Sequence, residues 1–191
     1  SKYSDMEMID SNDYIDIEPN DGNHGSYVQV LESYRDDRLK LIQKALIKSI
    51  NNSSSHIYII NPYYLPPKRF KKALINAAKR GCDVKIITTN LFKSDVPFIS
   101  LASRNIYGEL LDNGIKIYEY NTKNLHAKSV LIDDIVVSLG SFNFDDWSNK
   151  KNLEVNLMVI DSKVCNDVKN TFMDELNNNS IEVKAHDVKG R

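Results

Sequence analysis

A cluster of residues from position 126 onward has the types and spacing to act on a phosphate ester. His126 stands two residues before Lys128, and Gly140-Ser141 is followed, after one residue, by Asn143. On a strand, residues two apart face the same side, so each pair can point into one site. A neutral imidazole is a nucleophile, an ammonium neutralises an anion, and hydroxyl and amide groups hydrogen-bond to phosphoryl oxygens. The spacing therefore predicts a site for a phosphodiester.

Two acidic residues extend this pattern. Glu154 follows His126 by 28 positions, and we predict that it holds the second imidazole nitrogen and so fixes the tautomer. Asp133 is placed among the catalytic candidates too, although its position at a predicted hairpin turn favours a structural role. Taken singly, such a histidine or lysine is more often structural or solvated. Six identities at fixed spacing, however, should arise by chance in on the order of one chain in 10⁵.

Composition bounds the class of protein. The chain has 191 residues, of which 41% are hydrophobic, enough for one domain with a core. The net charge of −1 provides no global field that attracts nucleic acid or anionic lipid, although a local basic patch would. Cys82 and Cys165 fit no disulfide or metal pattern, so we expect buried thiols, a reducing compartment and a soluble chain. No metal or cofactor is expected.

Domain organisation follows from the distribution of apolar residues. Residues 1–25 are polar and acidic, and we interpret them as a disordered or loosely attached leader. Residues 26–184 are predicted to form one catalytic domain, and 185–191 a tail. Because the chain begins with Ser1 rather than Met, we interpret it as a fragment of a longer protein.

Strand-like and helix-like segments alternate along the predicted domain. Strands are predicted at 26–33, 82–89, 115–120, 126–133, 135–141 and 153–161, and the segment 56–67 is predicted as a strand that ends in a proline-rich loop. Helices are predicted at 35–50, 69–81, 96–114 and 163–179. The stretch 177–180 is interpreted as a frayed helix end. This order predicts an α/β fold with a mixed, mostly parallel sheet flanked by helices on both faces, the hairpin at Asp133-Asp134 giving an antiparallel component.

The pattern His126-x-Lys128-x4-Asp133-x6-Gly140-Ser141-x-Asn143 resembles the signature of the phospholipase D superfamily. The resemblance implies a phospholipase D-like domain and a metal-independent reaction through a phosphohistidine. One histidine attacks phosphorus, and the histidine of a second motif protonates the leaving alcohol. Roles are implied for the following residues: His126 as nucleophile or general acid, Lys128, Ser141 and Asn143 as phosphate ligands, Glu154 as acidic partner, and Asn152 in the adjoining N-x-E element.

A second resemblance covers most of the chain and indicates one family within this superfamily. The segments "YVQVL", "INPYYLPP", "AAKRGCDVKIIT", "ASRNIYGELLDNGIKIYEY" and "NLHAK" are similar, in that order, to the C-terminal half of bacterial-type cardiolipin synthases. Those enzymes transfer a phosphatidyl group from one glycerophospholipid to the alcohol of another. The implied partners are a glycerophospholipid substrate, a second motif from a missing N-terminal half or a homodimer mate, and a membrane surface for the parent protein. Nucleic acid is a less expected partner.

Three departures from that family affect the interpretation. Trp147 stands where arginine is frequent, and Pro67 replaces a common aspartate after Pro66. These two changes put substrate preference in question rather than catalysis. The third departure is that this chain holds a single copy of the motif.

Other residues are weaker candidates. Tyr63 and Tyr64, directly after a strand, could line a pocket, and Arg104 and Tyr107 could reach a headgroup phosphate. A basic stretch at 68–80 is more often a solvated helix face than a membrane contact. Two alternatives stay open beside the transferase half: a homodimeric single-motif phosphodiesterase or nuclease, and a non-catalytic binding half.

Overall fold

The computed structural model describes residues 25–33, 40–94, 96–122, 125–145, 148 and 152–188. Its strands are β1 Tyr27–Ser33, β2 His56–Ile60, β3 Asp83–Thr89, β4 Lys116–Tyr120, β5 Ser129–Ile132, β6 Val136–Gly140, β7 Glu154–Ile160 and β8 Ser180–Glu182. Its helices are α1 Leu41–Asn52, α2 Lys68–Lys79, α3 Pro97–Asp112, α4 Ser162–Asn179 and α5 Ala185–Val188. The strands form one open sheet in the order β1-β7-β6-β5-β2-β3-β4-β8.

The sheet confirms the mixed α/β fold but corrects the expectation that parallel pairs predominate. Within the described sheet, β2–β3 and β3–β4 are parallel, and the other five pairings are antiparallel. Parallel neighbours need a crossover of a dozen or more residues, which α2 and α3 provide. The β5–β6 connection instead reverses at Asp133 and Asp134, whose φ angles of 54° and 55° suit a tight hairpin turn.

Helices cover both faces of the sheet, as predicted. On one face, α1, α2 and α3 bury apolar side chains against the strands, among them Leu46, Phe70 and Tyr107. On the other face, α4 buries Cys165 and Phe172, and the Phe172 ring stacks on Tyr58 with 4.8 Å between centroids. Among the described residues, no helix is both long and apolar enough to cross a membrane.

The ends of the domain differ in part from the sequence predictions. The supposed frayed end at 177–180 is wrong, because α4 continues to Asn179 and the chain then pairs with β4 as β8. A three-residue edge strand is too short to show an alternating pattern. Residues 185–188 of the predicted tail are helical. Most of the predicted leader lies outside the described residues, and its character stays a prediction.

The topology gathers many strand ends at one edge of the sheet, which we call the site edge. The carboxyl ends of β2, β3, β4 and β6 lie there, together with the starts of β5 and β7. The register shows this directly, since Ile60 pairs with Ser129 and Gly140 pairs with Asn156. Side chains that precede β5, follow β6 or begin β7 are therefore brought together although they are distant in sequence.

Candidate active site

The segment before β5 places an imidazole and an ammonium group at the site edge. His126 is exposed, whereas the side chain of Lys128 is almost wholly enclosed, with the residue 9% exposed. The Lys128 Nζ donates a hydrogen bond of 2.7 Å to the His126 carbonyl oxygen. The lysine thus fixes the backbone that carries His126, and its own charge lies in surroundings where it is weakly screened.

The turn after β6 carries the predicted phosphate ligand Ser141. Its Oγ donates a hydrogen bond of 2.5 Å to Glu154 Oε2 and accepts one of 3.1 Å from the Val155 backbone N–H. The other Glu154 oxygen, Oε1, accepts a hydrogen bond of 3.0 Å from Asn152 Nδ2. Glu154 is buried, at 4% exposure. Its carboxylate therefore accepts hydrogen bonds from Ser141 and Asn152. The sequence had instead predicted a hydrogen bond between Glu154 and the imidazole of His126.

Asn143, the other predicted phosphate ligand, has a side-chain oxygen with unused hydrogen-bonding capacity. Its Oδ1 is buried and has no partner among the described residues. Buried polar atoms are almost always paired, and because phosphodiester oxygens also accept, Asn143 could bind a phosphate only by donating from Nδ2. The backbone N–H of Asn143 donates a hydrogen bond of 3.2 Å to Ser148 Oγ. The Ser148 N–H in turn donates a hydrogen bond of 2.7 Å to Asp145 Oδ1.

Two buried asparagines that the sequence analysis missed hold the backbone on both sides of Asn143. Asn61 Nδ2 donates to the Phe142 carbonyl at 3.4 Å, and its Oδ1 accepts from the Phe144 N–H at 3.2 Å. Asn156 Oδ1 accepts from the Phe142 N–H at 3.1 Å. Asn61 is 1% exposed and Asn156 is 4% exposed. The sequence could have indicated these two residues, because each asparagine interrupts an otherwise apolar run.

Gly140 in the Gly-Ser pair is required by a close approach of β7. A Cβ at this position would lie 2.2 Å from the Val155 carbonyl oxygen and 2.4 Å from Asn156 Oδ1. Both distances are well inside van der Waals contact. Only glycine therefore lets β6 and β7 approach closely enough for Ser141 to meet Glu154.

Asp133 lies away from these residues, at the opposite end of β5. Its carboxylate accepts hydrogen bonds from three consecutive backbone N–H groups, at 2.7 Å from Ser54, 3.0 Å from Ser55 and 2.9 Å from His56. These contacts fix the α1–β2 connection to the hairpin turn. The structure thus separates Asp133 from the other catalytic candidates and supports a structural role.

The predicted pocket residues are only partly available. Tyr64 and Tyr107 are core residues, at 0% and 1% exposure, so the expectation that they line an open pocket is wrong. Burial raises the pKa of both phenols well above the usual range. Arg104 forms a paired contact with Glu119, through Nε at 2.8 Å and Nη2 at 2.7 Å, rather than presenting its guanidinium to the site. Tyr63 is half-buried, and Trp147 lies outside the described residues.

An open mixed sheet that carries histidine, lysine, serine and asparagine at one edge defines a phospholipase D-like domain. Residues 46–176 match the model of a family described as "Cardiolipin synthase, PLD-like domain". The chain belongs to this family, and the resemblance inferred from the sequence is confirmed.

Relatives of known name agree with this assignment. A cardiolipin synthase of Staphylococcus aureus (strain N315) is 35% identical over 158 residues, which are 83% of this chain and 32% of the relative. A cardiolipin synthase of Listeria welshimeri is 30% identical over 177 residues, which are 90% of this chain and 36% of the relative. The chain thus spans about a third of the length of these relatives.

Solved structures show the same fold. NUC of Salmonella typhimurium, a phospholipase D family member, aligns with a TM-score of 0.67 at 24% identity, covering 84% of this chain and 99% of that one. Phosphatidylserine synthase of Haemophilus influenzae aligns with a TM-score of 0.75 at 11% identity, covering 86% of this chain and 41% of that one. One domain of this size therefore makes up a whole chain in the first protein and less than half of the second.

Proposed function

We propose that this chain is one catalytic half, the C-terminal half, of an enzyme that transfers a phosphatidyl group through a phosphohistidine on His126. The observation that carries the proposal is the enclosed ammonium of Lys128, bonded to the carbonyl of the exposed His126. A cation held at low dielectric beside a nucleophile stabilises the charge that develops on phosphoryl oxygens. Family membership, with cardiolipin synthase relatives at 30–35% identity, supports a glycerophospholipid as substrate.

In the first step the neutral imidazole of His126 attacks phosphorus. A phosphorus–nitrogen bond forms, the bond from phosphorus to the leaving alcohol breaks, and a second imidazole gives its proton to the departing oxygen. Lys128, Ser141 and Asn143 bind the phosphoryl group during this exchange. In the second step the alcohol of another lipid gives its proton to the second imidazole and attacks phosphorus, and His126 leaves.

The second imidazole must come from outside the site described here. We assign it to a missing half of the same polypeptide, because the chain spans about a third of its relatives. An uncovered apolar face next to the site supports this. Leu139, Leu157 and Val30 are paired across β6, β7 and β1 and so share one face of the sheet, where Val30 is 64% and Leu157 39% exposed. A second half seated there would cover this face.

A homodimeric phosphodiesterase is the second candidate, since a domain of this size makes up 99% of the NUC chain. In that arrangement His126 of a second copy would supply the proton. Analytical ultracentrifugation of the 191-residue chain distinguishes the transferase half from the homodimeric phosphodiesterase. A monomer that becomes active only with the remainder of the polypeptide supports the transferase half, and a dimer active by itself supports the alternative.

The decisive experiment is to trap the intermediate. The protein with its complete site is quenched during turnover of a short-chain phosphatidylglycerol, and peptides are analysed by mass spectrometry at neutral to basic pH, where phosphohistidine survives. A phosphatidyl adduct on His126 supports the proposal, whereas an adduct on the histidine of the second motif would assign His126 the role of general acid instead. His126→Ala should lose several orders of magnitude in turnover, while the exposed His186→Ala serves as control. Near-normal turnover by the His126 variant would contradict the mechanism.

A further inference from the structure

Positive charge is concentrated in the part of the chain that contains α1 and α2. From Arg38 to Cys82 the sequence holds ten lysine or arginine residues and no aspartate or glutamate. The net charge of the whole chain is only −1, so the acidic residues are concentrated elsewhere. A segment with this balance attracts anionic groups even though the chain as a whole does not.

The two helices lie side by side and carry cations on their outer side. Arg80 Nη2 donates hydrogen bonds of 2.9 Å to the Ile50 carbonyl and 3.2 Å to the Ser53 carbonyl, which joins the end of α2 to the end of α1. Both helices bury their apolar side chains against the same face of the sheet. The exposed cations on their outer side are Lys44 on α1 and Arg69, Lys72 and Lys79 on α2. We call these four residues the basic face.

The basic face is not neutralised by the described part of the chain. None of its four side chains forms an ion pair with an acidic side chain that the structure describes. Glu109 of α3 is paired instead with Lys71, with 2.5 Å between Oε2 and Nζ. Asp36 and Asp37 precede α1 and lie outside the described residues. The basic face can therefore accept a partner that brings several anionic groups.

The leader supplies the opposite charge from within the same chain. Against a single lysine it holds seven acidic residues, Asp5, Glu7, Asp10, Asp13, Asp16, Glu18 and Asp21. It joins the described domain just before Ser26, whose Oγ donates a hydrogen bond of 2.6 Å to Asp161 Oδ2. The next residue, Tyr27, pairs with Ile160 at the end of β7. The leader is therefore attached at the edge of the sheet opposite the site edge.

The attachment point and the length of the leader allow it to cover the basic face. Both α1 and α2 end near the edge where the leader is attached, because β2 and β3 begin at that edge. A leader of 24 residues reaches up to about 80 Å when extended, whereas the 12-residue helix α1 is about 18 Å long. A segment tethered in this way has an effective concentration that is roughly millimolar. It competes with any anionic molecule that is less abundant.

We propose that residues 1–24 of the leader lie across the basic face and neutralise it, so that the face is withheld from other polyanions. A single exposed ion pair contributes little, so the contact depends on several carboxylates acting together and weakens as salt screens them. The leader is favoured over a separate partner because its charge is complementary and its tether keeps it within reach. The contact goes beyond the proposed function, since it requires no chemistry at His126.

Zero-length cross-linking with a carbodiimide tests where the leader lies in the unchanged 191-residue chain. Mass spectrometry of the peptides should find leader carboxylates joined to Lys44, Lys72 or Lys79. The yield should fall at least tenfold in about 1 M NaCl, where the Debye length is about 3 Å. Lys163 is the matched control, because it is exposed near the attachment point, in the first turn of α4, but lies outside the basic face. Cross-links to Lys163 alone would overturn the proposal.

A competition experiment measures the strength of the contact. One variant of the full chain replaces the acidic residues of the leader by their amides: Asp5→Asn, Glu7→Gln, Asp10→Asn, Asp13→Asn, Asp16→Asn, Glu18→Gln and Asp21→Asn. In fluorescence anisotropy, this variant should bind a labelled peptide of residues 1–24 at least tenfold more tightly than the unchanged chain, whose own leader occupies the face. Adding Lys44→Gln, Lys72→Gln and Lys79→Gln should remove that binding, whereas adding Lys163→Gln should not.

The other outcomes of the competition overturn the proposal. Equal binding of the peptide by the amide variant and the unchanged chain would mean that the leader does not occupy the face. Absence of binding, or binding that survives the three lysine substitutions, would mean that the face does not receive the leader. A DNA duplex bound as tightly by the unchanged chain as by the amide variant would assign the face to a separate polyanion. Urea unfolding verifies that each variant is folded, and the cross-linking result depends on no variant.

Discussion

The Oγ of Ser141 donates a 2.5 Å hydrogen bond to Oε2 of Glu154, joining the turn after β6 to the start of β7. Because a carboxylate accepts this bond, the serine hydroxyl has a fixed direction before any ligand binds, and its oxygen also receives the Val155 N–H. Glu154 thereby orients the hydroxyl of Ser141, which we propose binds the substrate phosphate.

Glu154→Gln should lower kcat by about tenfold to a hundredfold, because the neutral amide cannot accept from both Ser141 and Asn152 and the hydroxyl loses its fixed direction. KM should change less than kcat if Ser141 acts mainly on the transition state. Steady-state kinetics of the complete enzyme measures this. Glu182→Gln, at an exposed position on β8, should leave both constants unchanged, and an equal loss in that control would refute a specific role for Glu154.

Gly140→Ala should reduce the free energy of unfolding by roughly 1–3 kcal/mol and impair activity, because the added methyl group meets the Val155 carbonyl at 2.2 Å. Gly108→Ala is a matched control within α3, where a Cβ would meet nothing within 4 Å. That change should stabilise the protein by about 0.5–1 kcal/mol through helix propensity. Urea unfolding monitored by circular dichroism compares the two, and a neutral Gly140 variant would contradict the packing described here.

Asn61→Ala should destabilise the protein and lower kcat together, since it leaves the Phe142 carbonyl and the Phe144 N–H buried without their side-chain partner. Each unpaired buried group costs about 1–3 kcal/mol. Asn76→Ala, on the exposed face of α2, should be neutral or slightly stabilising. If Asn61→Ala unfolds at the same urea concentration as the unchanged chain, the amide does not hold the turn.

Stability should depend on pH through Asp83. Burial, the largest effect, would raise the pKa of this carboxyl, but hydrogen bonds and charges from Lys116 and Lys85 outweigh it, and the pKa is lowered from 3.8. A lowered native pKa means that the ionised form favours the folded state, so the contribution is present above the unfolded value and is lost as pH falls through the native one. Asp83→Asn should therefore lower the urea midpoint at neutral pH, and the difference should shrink in acid below 3.8. A difference that stays constant with pH would contradict the linkage.

Activity of the complete enzyme should survive EDTA, because in the proposed mechanism the Lys128 ammonium supplies the positive charge that a divalent ion would otherwise bring to the phosphoryl oxygens. Among the described residues, no group of three or more His, Cys, Asp or Glu side chains could hold a metal ion. Turnover is measured before and after dialysis against the chelator. A loss that added Mg²⁺ or Ca²⁺ restores would count against this role of Lys128.

The sequence by itself determined the family and most of the elements. His126, Lys128, Ser141 and Asn143 are close together along the chain, so their spacing on predicted strands was enough to indicate a phosphodiester site. Local patterns likewise placed the helices and the hairpin at Asp133-Asp134, because apolar periodicity and turn chemistry act between near neighbours.

Tertiary structure decided what depended on residues distant in sequence. Three features follow from the assembled sheet, which no local pattern encodes. They are the hydrogen-bond partners of Glu154, the hydrogen bonds from Asn61 to the backbone of Phe142 and Phe144, and the need for glycine at position 140. The same holds for Tyr64 and Tyr107, whose polar groups suggested a pocket but whose rings lie in the core. The balance of parallel and antiparallel pairs was also decided at this level, because strand direction depends on which edge each connection reaches. Periodicity reports which side chains are buried, whereas hydrogen bonds between distant segments depend on the assembled sheet.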